Sequence, residues 1–175
     1  MLLLGDSACT FPSYLTGIWH GSDLGQAVFT SSKFTLTNKL MKVDSNTFIM
    51  SQFNVLTFNC EEQLGNLIYI KSDEFNQYFA NFRIAMCWQL TYVTSTKIVY
   101  NSAMSVLLNT TNARFLLKSS TATFSMATDC KLTGPYDPST VRVLVRDGYI
   151  SSAKIKCPDS LLGSFSYEFD SGAGN

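Results

Sequence analysis

Apolar and polar residues alternate along most of this chain with a period of two. Val28, Thr30, Phe34, Leu36 and Leu40 interleave with Ser, Thr, Lys and Asn. A second run carries Phe48, Met50, Phe53, Val55, Leu56 and Phe58 and ends at Cys60. Leu67-Ile68-Tyr69-Ile70 reads as a short strand, released by Gly65-Asn66 and closed by Lys71-Ser72-Asp73. Tyr78 to Tyr92 is a long apolar and aromatic stretch. Lys97 to Tyr100, Arg114 to Leu117 and Thr123 to Met126 supply further short strands. β-branched and aromatic residues dominate these runs, and turn residues recur every eight to twelve positions, which predicts an all-β fold, an antiparallel barrel or sandwich. One short helix is predicted around 72–79, capped by Ser72 or Asp73. Phe75, Tyr78, Phe79 and Phe82 then form a core-facing stripe at i, i+3, i+4 and i+7.

A seam falls near Ala127–Cys130. Beyond it Val141, Val143 and Val145 alternate with Arg142, Leu144 and Arg146, Asp147-Gly148 signals a hairpin, and Ile150 to Ile155 offers the return strand. Phe165, Tyr167 and Phe169 start another strand. The expected division is a barrel or sandwich module over 9–127 and, over 128–175, a partial second β module or docked hairpin extension. That second part is too small for a core of its own.

Composition narrows the function classes. The 175 residues are 46% apolar and 13% aromatic, which supports a real core, and 13 basic residues balance 13 acidic ones. No cationic stripe exists to bind nucleic acid. No stretch reaches the roughly 18 apolar residues of a membrane span. MLLLGDSA is too short an apolar run for a signal peptide and is expected to be the remnant of one.

The five cysteines Cys9, Cys60, Cys87, Cys130 and Cys157 are widely spaced, which excludes a CxxC redox or zinc site and suits disulfides in an oxidising compartment. With His20 as the single histidine, no metal and no cofactor is expected. Asn109-Thr110-Thr111 is a glycosylation sequon.

Catalytic patterns come out poorly. His20, Ser22 and Asp23 are near neighbours, whereas a triad needs groups converging from separate segments. A Cys–His pair would need a thiol that is not a bridge. Glu61-Glu62 and Asp73-Glu74 are adjacent rather than facing carboxylates and read as solvated turns. Asp170-Ser171-Gly172 resembles an aspartic-protease triplet without a second copy. The chain is expected not to be an enzyme.

Two resemblances add to this reading. Cys9-x-Phe11-Pro12-x-x-Leu15-x-Gly17-x-Trp19 resembles the opening of a family of uncharacterised invertebrate extracellular proteins, abundant in molluscs and known only as domains of unknown function. Phe58-x-Cys60, Tyr78-Phe79-x-Asn81-Phe82, Cys87-Trp88, Cys130 and Lys156-Cys157-Pro158 continue it across nearly the whole chain. It implies secretion and disulfide-bonded β modules in tandem, and no activity. Gly17-x-Trp19 also resembles the lipocalin opening, in which the tryptophan closes the bottom of an eight-stranded cup for a small apolar ligand. The second lipocalin motif is missing, and a hairpin replaces the C-terminal helix.

The resulting expectation is a secreted or surface-exposed, disulfide-stabilised, non-catalytic β module. Its partner would be another extracellular protein or a glycan; the alternative is a lipocalin-like carrier. Gly17 and Trp19 are the expected barrel-closing residues. The expected bridges are Cys130–Cys157, which bracket the hairpin, and Cys60–Cys87, leaving Cys9 odd. The lipocalin resemblance implies Cys60–Cys157 instead.

Overall fold

The structure, a computed structural model, describes residues 9–21, 24–42, 49–77, 79–104, 115–136 and 138–153. Among these described residues ten strands form: β1 (Gly17–Gly21), β2 (Gly25–Phe29), β3 (Lys33–Lys42), β4 (Ile49–Leu64), β5 (Leu67–Ser72), β6 (Phe75–Gln77), β7 (Ala80–Thr94), β8 (Lys97–Ser102), β9 (Leu116–Ser119) and β10 (Val141–Arg146). Eight of them, β1 to β5 with β7, β8 and β10, follow one another around a closed antiparallel barrel. The ring closes where β5 meets β7 and where β10 returns to β1. Closure removes the sheet edges that would otherwise offer unpaired backbone groups. β6 and β9 are short additions along β7.

Alternation decides what fills the barrel. Ala27 and Phe29, Phe34 and Leu36, Leu56 and Phe58, Ile68 and Ile70, Ile98 and Tyr100, and Leu144 are all buried in one cluster with Trp19 and Trp88. The rings pack against one another: Phe34 stacks on Phe58 at 4.7 Å between centroids and on Phe29 at 4.9 Å, and Trp88 meets Tyr100 at 4.7 Å.

β5 and β7 break the alternation, and their environment explains why. Leu67, Tyr69, Ala85 and Cys87 point to the outer face, yet they are buried too. Ala103, Met104, Met126 and Cys130 lie over them, with Leu116, Phe124 and Tyr136 at the margin. A strand covered on both faces reads as a continuous apolar run, which is what 67–70 is.

Several expectations are corrected. The segment 72–79 is extended: β5 ends at Ser72 and β6 begins at Phe75. Phe75 faces Phe82 across the β6–β7 pair, Phe79 is fully exposed in the turn at φ 62°, and Tyr78 lies outside the described residues. Asp73 does not cap a helix but accepts from Asn59 Nδ2 at 2.8 Å. The strand expected over Thr123 to Met126 is not extended structure of the sheet; a helix, α1 (Met126–Asp129), begins at its last residue, capped by the Ser125 hydroxyl, which accepts from the Ala127 amide. Glu61 and Glu62 lie within β4 rather than in a turn.

Residues 150–153 form turns rather than a return strand, and 154–175, with Asp170-Ser171-Gly172 and the strand expected from Phe165 to Phe169, fall outside the described residues. The seam near 127 does not detach the segment beyond it. β10 sits between β8 and β1 and completes the barrel, so the segment from 128 supplies one of its staves.

Candidate functional site

The sequence marks one end of the barrel, and the structure shows how that end is shut. Residues 9–16 cross it: Cys9 is bonded to Cys60 of β4, the Phe11 amide donates to Ser31 O at 2.7 Å, and Ser13–Leu15 forms a single 3-10 turn. Trp19 lies beneath that turn, fully buried, its indole N–H donating to Leu15 O at 2.7 Å.

Directly opposite Trp19 in the β1–β10 register is Arg146. Its guanidinium sits 4.8 Å from the Trp19 ring and donates to two carbonyls at this end, Ser95 O and Tyr14 O, each at 3.0 Å. A planar fork over an aromatic face with two acceptors in its plane is a geometry that only arginine supplies. Arg146 therefore ties together β1, β10, the β7–β8 turn and the N-terminal segment.

Gly17 belongs to the same lock. Its φ is +121°, and a Cβ placed there would meet the Arg146 guanidinium at 3.5 Å, an ordinary contact. The constraint is thus the backbone rather than space. Gly17→Ala is expected to lower the unfolding free energy by about 2 kcal/mol, measured by urea denaturation.

The cysteines pair differently from expectation: Cys9–Cys60 and Cys87–Cys130 are the bridges. Cys60–Cys87 is excluded by facing, since Cys60 registers with inward Ile70 and packs against the inner cluster, whereas Cys87 registers with outward Tyr69. Cys130 reaches Cys87 because the segment ending in α1 lies on that outer face. Both Cys130–Cys157 and Cys60–Cys157 are thereby excluded, and Cys157 itself lies outside the described residues, as does Asn109.

A buried polar cluster fastens the outer layer. Asp129 is 3% exposed and accepts from Tyr69 Oη at 2.6 Å, Lys118 Nζ at 2.5 Å and Thr128 Oγ1 at 3.0 Å. Burial alone would raise its pKa. The hydrogen bonds from Lys118, Tyr69 and Thr128, with the Lys118 charge, outweigh burial and hold the carboxyl below its ordinary value. Burial, with the Asp129 bond added, pushes the Tyr69 phenol far up, so it stays a donor. Glu62 accepts from the Met126 amide at 3.1 Å, and Glu61 pairs with Lys71 at 2.8 Å.

His20 points outward on β1 and pairs with Asp147 at 2.8 Å on the surface; Ser22 and Asp23 lie outside the described residues. All four described cysteines are in disulfides. No group of three or more His, Cys, Asp or Glu side chains among the described residues is placed to hold a metal ion. Among the tyrosines, Tyr100 is buried in the core, Tyr92 is half-exposed against Tyr14, and Tyr149 is exposed. No described helix is long and apolar enough to cross a membrane.

Sequence reasoning missed Arg146 and Asp129. Arg146 carried one usable signal: it shares a face with Leu144 in a strand whose other face is all valine. No family model, curated protein or solved structure matches the chain.

Proposed function

We propose that this chain is a disulfide-stabilised extracellular module that binds a protein or glycan partner through its surface and performs no catalysis. The observation that carries this reading is the stacked aromatic core. Phe29, Phe34, Phe58, Trp88 and Tyr100 occupy with their own rings the space in which an eight-stranded barrel holds a ligand. The barrel is then a rigid frame, and loops make the contact. The tip between β6 and β7 suits such a contact, because Phe79 projects fully into solvent from a backbone conformation that side chains rarely adopt. Two disulfides fit an oxidising environment. The family resemblance of the Cys9 to Trp19 header supports the same location.

A carrier of a small apolar ligand is the second reading. It is favoured by the closed eight-stranded meander with Trp19 at its shut end, and by Gly25 and Asn54, which follow the inward alternation at the opposite end yet are exposed. Titration with a long-chain fatty acid, followed by tryptophan emission, separates the two. The surface-binding reading expects no saturable one-to-one response below roughly 10 μM. A saturable response with quenching of Trp88, at the centre of the rings, would overturn it in favour of the carrier.

A further inference from the structure

The outer face of β10 carries a groove of about 510 Å³ that the closed end and the outer layer leave unused. Its floor is Val141, Val143 and Val145, with His20 of β1 on one side and Lys97 of β8 on the other. β10 is hydrogen-bonded on both edges, so no backbone is free here to add a strand. Whatever covers the valines does so through side chains.

The chain leads its own candidate to this place. After β10 it turns back, with Ala153 N donating to Tyr149 O at 3.0 Å, and Ala153 forms part of the groove wall. Twenty-two residues follow, outside the described ones. Among them Phe165, Tyr167 and Phe169 stand at every second position, separated by Ser166 and Glu168. In an extended segment that spacing is about 6.8 Å, the same as between successive valines along β10. Phe165 lies twelve positions beyond Ala153, a reach of up to about 40 Å, ample for a valine row about 14 Å long.

Charge agrees with pattern. From 160 to 175 the chain has Glu168 and Asp170 and no lysine or arginine, while the groove has Lys97 at its rim. Among the described residues Lys97 makes no ion pair.

We infer that the groove is the seat of the chain's own residues 164–170. The three aromatic side chains cover the valines, and the two carboxylates stay on the solvent side within reach of the long Lys97 side chain.

Two measurements on the full-length protein test this. The first is zero-length carbodiimide cross-linking with peptide mapping. An intrachain link from Lys97 to Glu168 or Asp170 is expected; its absence, or its appearance only in a dimer fraction, overturns the inference. The second is the rate of chymotryptic cleavage at Phe165, Tyr167 and Phe169. Val143→Asp, with tryptophan emission confirming an intact barrel, is expected to speed cleavage about tenfold, and Lys97→Glu about threefold. Lys97→Glu keeps the test valid where Val143→Asp disturbs folding. Equal rates in the wild type and the variants overturn the inference.

Discussion

Replacing Asp129 by alanine is expected to lower the unfolding free energy by about 3 kcal/mol at neutral pH, read from urea denaturation. Removing one partner of a buried ion pair typically costs about 3–5 kcal/mol, because the other charge is left uncompensated. Lys118 is 21% exposed and regains some hydration, which places the effect at the lower end. Tyr69 also loses its acceptor inside the outer layer. The Cys87–Cys130 bridge keeps that layer attached, so the loss appears first as faster amide exchange in β9 and α1.

Acid gives the same result without mutation. Because the folded state holds the Asp129 carboxyl below its ordinary value, the unfolded chain takes up the proton first. The stabilisation is complete above the ordinary carboxyl pKa, near 4, and disappears as pH falls through the lower folded value. Asp129→Asn should abolish this part of the acid dependence. An unchanged acid profile in that variant would show that another carboxylate controls it.

Arg146→Ala is expected to cost about 3 kcal/mol. Two hydrogen bonds from a charged donor and a cation–π contact on a buried ring are lost together, and the Ser95 and Tyr14 carbonyls lose a donor. Arg146→Lys is the informative control. It keeps the charge but cannot hold both carbonyls while lying flat over Trp19, so it should recover less than half of the loss. A blue-to-red shift of tryptophan emission should accompany Arg146→Ala as water reaches the end of the barrel. Full recovery with lysine would mean that charge alone matters there.

The strands were legible because most have one buried face and one wet one, as in β3 and β8, and period two follows directly. What misled were positions where two geometries share a spacing. Phe75 and Phe82 are seven apart, which is two helical turns but also the separation of partners facing each other across a short turn. The disulfides were illegible for a related reason. Their pairing depends on which face of its strand each cysteine occupies, and on a crossing segment that brings Cys9 to Cys60. In β10 the alternation of valines with Arg142, Leu144 and Arg146 defines two faces without stating which is inside. The apolar face turns out, and an arginine turns in, because Trp19 and two carbonyls await it.

Barrel closure also has a consequence in time. The pairing of Trp19 with Arg146 joins residues 127 apart in the chain, and the last stave is made long after the first. At a synthesis rate of about 5–20 residues per second, β1 waits roughly 6–25 s with one edge unpaired. Contacts this distant in sequence also slow folding after release. During that interval the growing sheet is an open template for other strands, and the Cys9–Cys60 bridge, whose two ends emerge early, is a covalent tie that holds the first four staves in register before closure.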